Sequence, residues 1–342
     1  MQRKLAVSSS PFLRNTAVST RRLMGDVVIA LLPTALAAVW FFGAPALGLI
    51  LVSVAFAVLS EMVYERLTHQ KNTISDLSAV VTGLLLAFNL PANAPWWMAA
   101  IGAIIAIVLV KQMFGGIGQN FINPALASRT ILMLSWAGLM AATAMPNGGQ
   151  LFGLGSAPVD AVASATPLVN SSYSLWQLFI GDIPGMLGET CKLTLLLGGV
   201  YLIVRRVIDW RVPVAFIATA FILFWIQTGV IYSVESGTDN ALYQILSGGL
   251  MLGAFFMATD YVTCPITKWG RVFMGVGCAA ILFVIRTFNS SYPEGCSFGI
   301  LFMNVLTPLI DKWTAPRSFG AVKPPRATKT KAGKDSKGGA QA

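Results

Sequence analysis

Long charge-free runs dominate the chain. Val27 to Ser60 and Leu77 to Val110 contain no Asp, Glu, Lys or Arg, and apolar runs of about 18 residues or more read as bilayer-spanning helices. Hydrophobicity divides the sequence into ten spans, near 27–43, 45–62, 77–90, 95–111, 129–145, 187–204, 212–231, 242–259, 271–287 and 296–311. The first two are separated only by Gly43 to Pro45. The longest loop, Pro146 to Thr190, follows the fifth span and holds no Lys or Arg. The expected fold class is therefore all-α, a polytopic membrane protein of about ten transmembrane helices with an extracytoplasmic loop between helices 5 and 6. Residues 1–26 form an N-terminal segment, 27–312 the transmembrane domain, and 313–342 a basic tail. The tail is rich in Pro, Gly, Lys and Ala and is expected to be disordered, as a solvated linker or a contact for lipid or a partner.

Spans three and eight stand apart. Both end in proline after small and polar residues, Gly83 to Pro91 and Gly249 to Pro265. They lie five spans apart, as two inverted five-helix halves would place them, and interrupted spans at matching positions mark midplane sites in transporters. Chance similarity is the competing explanation, and the pattern alone does not choose.

Composition agrees with the spans. Of 342 residues, 55% are hydrophobic and 11% charged, against about 25% charged in an average soluble domain, and mean hydropathy is +0.69. The net charge of +10 is concentrated before Asp26 and after Trp313, outside the spans, so it orients the protein and meets anionic lipid head groups. No basic groove with interleaved aromatics is present, which excludes nucleic acid as a partner. With the N-terminus in the cytoplasm, every Lys and Arg except Lys192 and Arg286 falls in an inner segment. That bias supports both termini on the cytoplasmic side of the membrane. Residues 1–26 lack an apolar core, so no cleavable signal peptide is expected.

Conventional catalytic chemistry lacks its parts. Cys191, Cys264, Cys278 and Cys296 are scattered without CxxC spacing, so no metal site is expected. His69, the lone histidine, sits in a charged loop and reads as solvated. Glu61 and Glu65 read as residues of the same wet loop. Asp76 and Asp260 stand at the inner ends of spans three and eight; each is either a solvated boundary residue or part of an ion pathway. Gly115, Gly116 and Gly118 free the backbone for close approach, and Asn120 and Asn123 follow with amide groups. That segment either lines a cofactor pocket or caps the helix beginning near Pro124. It is no Rossmann fingerprint, because no βαβ unit surrounds it.

In the outer loop, Asp160-Ala-Val-Ala-Ser-Ala-Thr-Pro-Leu168 offers an accessible Thr166 hydroxyl among small side chains. By composition alone it is an ordinary Ser/Ala-rich loop. It resembles, however, the flavin-attachment motif Asp-x-x-Ser/Thr-Gly/Ser-Ala-Thr of the Rnf and Na+-translocating NADH:quinone reductase family. Asp160, Ser164, Ala165 and Thr166 stand at motif positions, and Ala163 departs from the usual Ser/Thr. Further stretches resemble the D subunit of the Rnf complex: Ser8 to Pro11, Phe114 to Ala125, Phe256 to Thr263, and Tyr292 to Gly295 with Met303-Asn304.

The resemblance implies a membrane subunit of an ion-translocating ferredoxin:NAD oxidoreductase, inactive alone, that relays electrons and is coupled to Na+ or H+. It implies FMN esterified through its phosphate to Thr166 by a flavin transferase, which makes the chain a phosphoprotein, and a non-covalent riboflavin nearer the inner side. The implied partners are the A, B, C, E and G subunits, with membrane lipids. Two competing readings stand beside it. One is a flavin-free channel or secondary transporter, for which the single Asn123-Pro-Ala125 triplet lacks the second copy that aquaporin-type channels need. The other is a structural subunit in which Thr166 is never modified.

Overall fold

A computed structural model describes residues 19–70, 73–146, 167–168, 173–232, 240–289 and 294–316. Asp160, Ala163, Ser164, Ala165 and Thr166 lie outside the described residues, as do most of the N-terminal segment and of the tail. The described elements are helical: α1 Thr20–Phe42, α2 Ala44–Leu67, α3 Ser78–Phe88, α4 Trp96–Ile104, α5 Pro124–Ser135, α6 Ala137–Ala141, α7 Leu175–Ile180, α8 Lys192–Val204, α9 Arg211–Thr228, α10 Ala241–Leu246, α11 Leu250–Leu252, α12 Lys268–Phe288 and α13 Cys296–Thr314. Two π-helical stretches extend this set, Ile105–Gln112 continuing α4 and Gly253–Met257 continuing α11. By length and composition, α1, α2, α9 and α12 can cross a membrane unaided. Large apolar side chains such as Leu36, Leu51, Ile226 and Phe288 lie exposed on this set, as a lipid-facing surface requires.

The apolar runs fall largely on helices, with instructive differences at the breaks; the sixth becomes helical only at Lys192. Gly43, at φ 73°, divides α1 from α2, and Pro45 occupies the first turn of α2. The fifth span begins earlier, at Pro124, and is broken at Trp136 into α5 and α6. The eighth is broken at Ser247 to Gly249, where Gly248 takes φ 64°. Helix α1 starts at Thr20, ahead of the expected start at residue 27, with Ser19 capping it. Asp26 can lie inside that helix because Arg205 and Tyr201, at the end of α8, each bond its carboxylate at 3.2 Å.

Two charge assignments need correction. Glu61 and Glu65 do not belong to a wet loop: α2 runs on to Leu67 and both are buried. Lys111 Nζ donates to Glu61 Oε1 at 2.6 Å, and the backbone N–H of Thr73 donates to Glu65 at 3.1 Å. Lys111 and Arg129, counted as loop cations, are also buried, inside the continuation of α4 and inside α5. A linear charge count cannot distinguish an inner-loop cation from one paired within the bundle. His69 is exposed, as expected.

The helix packing repeats itself. α2 packs on α3 and α4 as α9 packs on α10 and α12, and α1 lies against α8. Small residues permit these close approaches, as in membrane bundles generally. A Cβ at Gly83 of α3 would stand 2.8 Å from Val54 Cα of α2, and one at Gly275 of α12 would stand 2.7 Å from the Val212 carbonyl oxygen. The stretch from Ile183 to Cys191 is not helical and crosses the end of α3. Leu187 N–H donates to Leu90 O at 3.0 Å and Gly188 N–H to Phe88 O at 2.9 Å, with an antiparallel bridge between Pro91 and Met186. These bonds satisfy carbonyls at the end of a helix too short to span, which a bilayer interior cannot do.

Candidate functional site

A cavity of about 410 Å³ opens where α1, α3 and α5 begin and α8 ends. That is within the size range of small-molecule sites. Its walls are largely apolar, including Leu23 and Val27 of α1, Leu85 of α3, and Phe255 and Phe256 of the second π-helical stretch. Polar groups converge on it from separate elements: Ser78 and Thr82, Lys111, Asn120 and Asn123, Thr259 and Asp260. Both π-helical stretches contribute, the first through Lys111 and the second through the two phenylalanines. A π-turn shifts the phase of the residues that follow it, and such turns gather at functional sites.

The glycine-rich segment enters this cavity at one point. Gly115, Gly116 and Gly118 have φ of 112°, 89° and 90°, a region that other residues occupy at a cost. Gly118 lines the cavity; Gly115 and Gly116 shape the turn ahead of it. Asn120 donates to Ile122 O at 3.1 Å and, like Asp260, lines the cavity. The Asp260 carboxylate accepts from the Thr263 hydroxyl at 3.4 Å. Asn123 caps α5, accepting from Ala125 N and Leu126 N at 3.0 and 3.3 Å, while its amide donates to Met257 O at 3.3 Å. Capping is thus what Asn123 does in this fold, and it borders the cavity while doing so.

The structure therefore brings Gly118, Asn120, Asn123 and Asp260 together, although at least 137 residues separate the first three from Asp260 in the sequence. Asp76 sits in the turn Ile74–Asp76 before α3 and does not line the cavity. Lys111, Ser78 and Thr82 were not singled out from the sequence. Lys111 was legible only as the charge that ends a long apolar run. Its Nζ donates to Ser78 Oγ at 2.7 Å as well as to Glu61, and Gln112 joins Glu61 at 2.9 Å. The cationic head is held at the cavity edge by a buried carboxylate.

A second ionisable cluster lies apart from the cavity. Arg129 of α5 donates to Glu294, which precedes α13, and lies 3.4 Å from Glu189. Lys192, the first residue of α8, donates to the backbone carbonyls of Glu189 and Gly248, the latter at 3.1 Å. Arg286 of α12 donates to the carbonyls of Gln244 and Ser247, the latter at 3.0 Å. Lys192 and Arg286 are the two exceptions to the inner-side charge bias, and neither is a free loop cation.

The sequence profile of the NQR2, RnfD, RnfE family matches residues 6–320. The chain belongs to this family. Three relatives of the NQR2, RnfD, RnfE chain give the match its scale. It is 44% identical to the D subunit of the Na(+)-translocating ferredoxin:NAD(+) oxidoreductase complex of Acetobacterium woodii, over 93% of this chain and 96% of the relative. It is 40% identical to the D subunit of the proton-translocating ferredoxin:NAD(+) oxidoreductase complex of Clostridium ljungdahlii, over 92% and 96%. It is 37% identical to the D subunit of the ion-translocating oxidoreductase complex of Stutzerimonas stutzeri, over 88% and 92%. An all-helical, multi-pass membrane architecture and membership of the NQR2, RnfD, RnfE family thus agree, and the resemblance read from the motifs is the correct one.

Proposed function

We propose that this chain is a membrane subunit of an ion-translocating ferredoxin:NAD oxidoreductase complex and holds flavin for electron transfer. In this reading FMN is esterified to Thr166, and a non-covalent flavin, by analogy riboflavin, occupies the cavity of about 410 Å³. Its partners are the other subunits of the complex, and a flavin transferase for maturation. Electron flow is coupled to Na+ or H+ movement, consistent with relatives named for either ion.

The observation that carries the reading is the cavity. It gathers residues of two stretches that resemble the family, including Gly118, Asn120, Asn123 and Asp260, around an apolar slot. Its chemistry fits an isoalloxazine: Phe255 and Phe256 offer wall against the ring, and Asn120, Ser78 and Lys111 offer hydrogen-bonding groups for a polar edge. Flavin supplies one- and two-electron redox chemistry that no side chain here possesses. The chain's own residues bind, orient and exclude water. Lys111, fixed by Glu61 and Ser78, would bring positive charge to the ring edge. Asp260, bonded by the Thr263 hydroxyl, adds a carboxylate to the polar mouth.

The decisive experiment is in-gel flavin fluorescence of the chain co-expressed with a flavin transferase, beside Thr166→Val. The expected result is a fluorescent band that disappears in the variant. Flavin released by denaturing the Thr166→Val complex reports the second site, and Thr82→Phe, which fills the cavity, is expected to abolish it. A dark wild-type band with active transferase would sink covalent attachment; flavin retained in full by Thr82→Phe would sink the cavity as its site.

A further inference from the structure

A second cavity, of about 480 Å³, opens where α8 ends and α9 and α12 begin. Three arginines line it, Arg206, Arg211 and Arg271, and each is placed there by a local cause. Helix α8 closes in a Schellman turn: Arg206 N–H donates to Ile203 O and Val207 N–H to Leu202 O, both at 2.9 Å. Arg206 takes the left-handed position of that turn, at φ 57°, where glycine is the usual residue. Glycine or asparagine would form the turn at less cost, so the backbone does not call for an arginine here. What the arginine adds is a guanidinium on the cavity wall.

Arg211 and Arg271 come from different helices and meet on one carboxylate oxygen. Arg211 Nη1 donates to Asp209 Oδ2 at 2.8 Å, and Arg271 Nη1 donates to the same atom. Asp209 is itself fixed by the Arg211 backbone N–H, which donates to Oδ1 at 3.0 Å. Arg271 Nε donates to Pro265 O at 3.1 Å, and the Arg211 guanidinium lies 5.3 Å from the centre of the Trp210 ring. These contacts orient both forks while leaving most of the five N–H groups that each arginine carries. The remaining wall is largely apolar, with Val207, Val212 and Pro265 in it. Its margin is apolar and open: Trp210, Ile266 and, in the first turn of α12, Trp269 are all exposed. Tryptophan gathers at the level of lipid head groups.

We propose that this cavity seats the phosphodiester head group of an anionic phospholipid, with its acyl chains laid along the exposed apolar margin. Arginine's planar fork matches phosphate oxygens, and basic pockets between helices at a membrane surface take anionic head groups. A soluble phosphate would need no apolar margin; an amphiphile uses both. Ile208, Thr259, Asp260 and Tyr261 line this cavity and the first one alike. The Asp260 carboxylate repels an anion, so the phosphate belongs at the arginine end, and the lipid stands directly behind the wall that the two cavities share.

The test uses the full chain, purified in detergent and stripped of lipid, with native mass spectrometry to count the phospholipid it keeps. An equimolar mixture of phosphatidylglycerol and phosphatidylcholine is offered to wild type, Arg206→Asn and Arg66→Gln. Arg206→Asn removes the guanidinium and keeps a turn that asparagine tolerates. Arg66, exposed at the end of α2, lies outside the cavity, so Arg66→Gln removes the same charge elsewhere. Wild type and Arg66→Gln are expected to retain one phosphatidylglycerol in preference to phosphatidylcholine. Arg206→Asn is expected to hold it about tenfold more weakly, the worth of one charge-assisted contact. Equal retention of the two lipids by wild type, or an undiminished phosphatidylglycerol adduct in Arg206→Asn, overturns the proposal. Inorganic phosphate that displaces the lipid and binds in its place also overturns it, by assigning the site to a soluble anion. Should Arg206→Asn not fold, Ile266→Glu, which sets a carboxylate at an 81% exposed point of the margin, is expected to lower phosphatidylglycerol retention selectively; unchanged retention overturns the proposal.

Discussion

Arg129 of α5 and Glu294, which precedes α13, are bonded to each other although 165 residues separate them. Their pairing ties α5 to the start of α13. Ser297 adds to it, accepting from Arg129 at 2.6 Å. Both partners of the ion pair are largely shielded, at 3% and 12% side-chain exposure, so breaking it strands a charge instead of returning it to water.

Arg129→Met is accordingly expected to destabilise the chain by about 3–5 kcal/mol, because Glu294 and Glu189 lose their cation inside the bundle. Arg129→Met combined with Glu294→Leu should cost less than Arg129→Met alone. Thermal unfolding in detergent measures both; a double variant less stable than the single would contradict this account.

Lys111 and Glu61 make the same argument at the cavity edge. Lys111→Met should lower stability by about 3–5 kcal/mol through the stranded Glu61 carboxylate, and should also reduce the flavin retained by the purified complex. Flavin content per chain, read by absorbance after denaturation, separates the second effect from the first. Unaltered flavin content in a folded Lys111→Met protein would remove Lys111 from the site.

Gly198 of α8 faces the carbonyl oxygen of Ala30 in α1 so closely that an added Cβ would collide with it and with the Phe256 ring. Gly198→Val should force α1 from α8 and cost about 1–3 kcal/mol. Gly48, whose Cβ would meet nothing within 4 Å, is the control: Gly48→Ala should be neutral or slightly stabilising. Equal melting temperatures for Gly198→Val and wild type would refute the close packing.

Asp209, in the turn between α8 and α9, supplies a pH dependence. Partial burial pushes its carboxyl up, but the backbone N–H of Arg211, the Arg271 guanidinium and the Arg211 charge outweigh that and hold its pKa below the ordinary carboxylate range. A depressed folded-state pKa stabilises above the unfolded-state pKa, and that contribution is lost as pH falls through the folded value. Wild type should therefore lose more stability than Asp209→Asn on acidification below about pH 4. Melting curves of both proteins across that window check the sign, and parallel curves would reject it.

The long spans were legible because lipid demands uninterrupted apolar sequence, and α1, α2, α9 and α12 answer to it directly. The breaks at Trp136 and at Ser247 to Gly249 were not, since both fall within apolar runs whose hydrophobicity continues across the kink. Glu61 was misplaced for a related reason. Its partner Lys111 lies 50 residues away, and a buried pair looks like two loop charges until the helices are docked. The glycine-rich turn and Asp260 were visible as candidates; that they border one cavity was decided by the return of the second half of the chain onto the first. Arg286 and Lys192 surfaced only as violations of a charge rule, which was the one linear trace of the cluster they belong to.

The seam between Phe88 to Pro91 and Met186 to Gly188 has a mechanical consequence. A carrier that works by alternating access must let one bundle rock against the other. Here the polypeptide that links the halves is sewn, backbone to backbone, onto the blunt end of α3. Tilting one half against the other would have to break these buried backbone hydrogen bonds. The molecule is braced like a truss, holding its anchorage points at constant spacing. For the flavin-holding subunit proposed above, such a brace would keep the redox centres at constant spacing, whereas a rocking carrier would have to undo it.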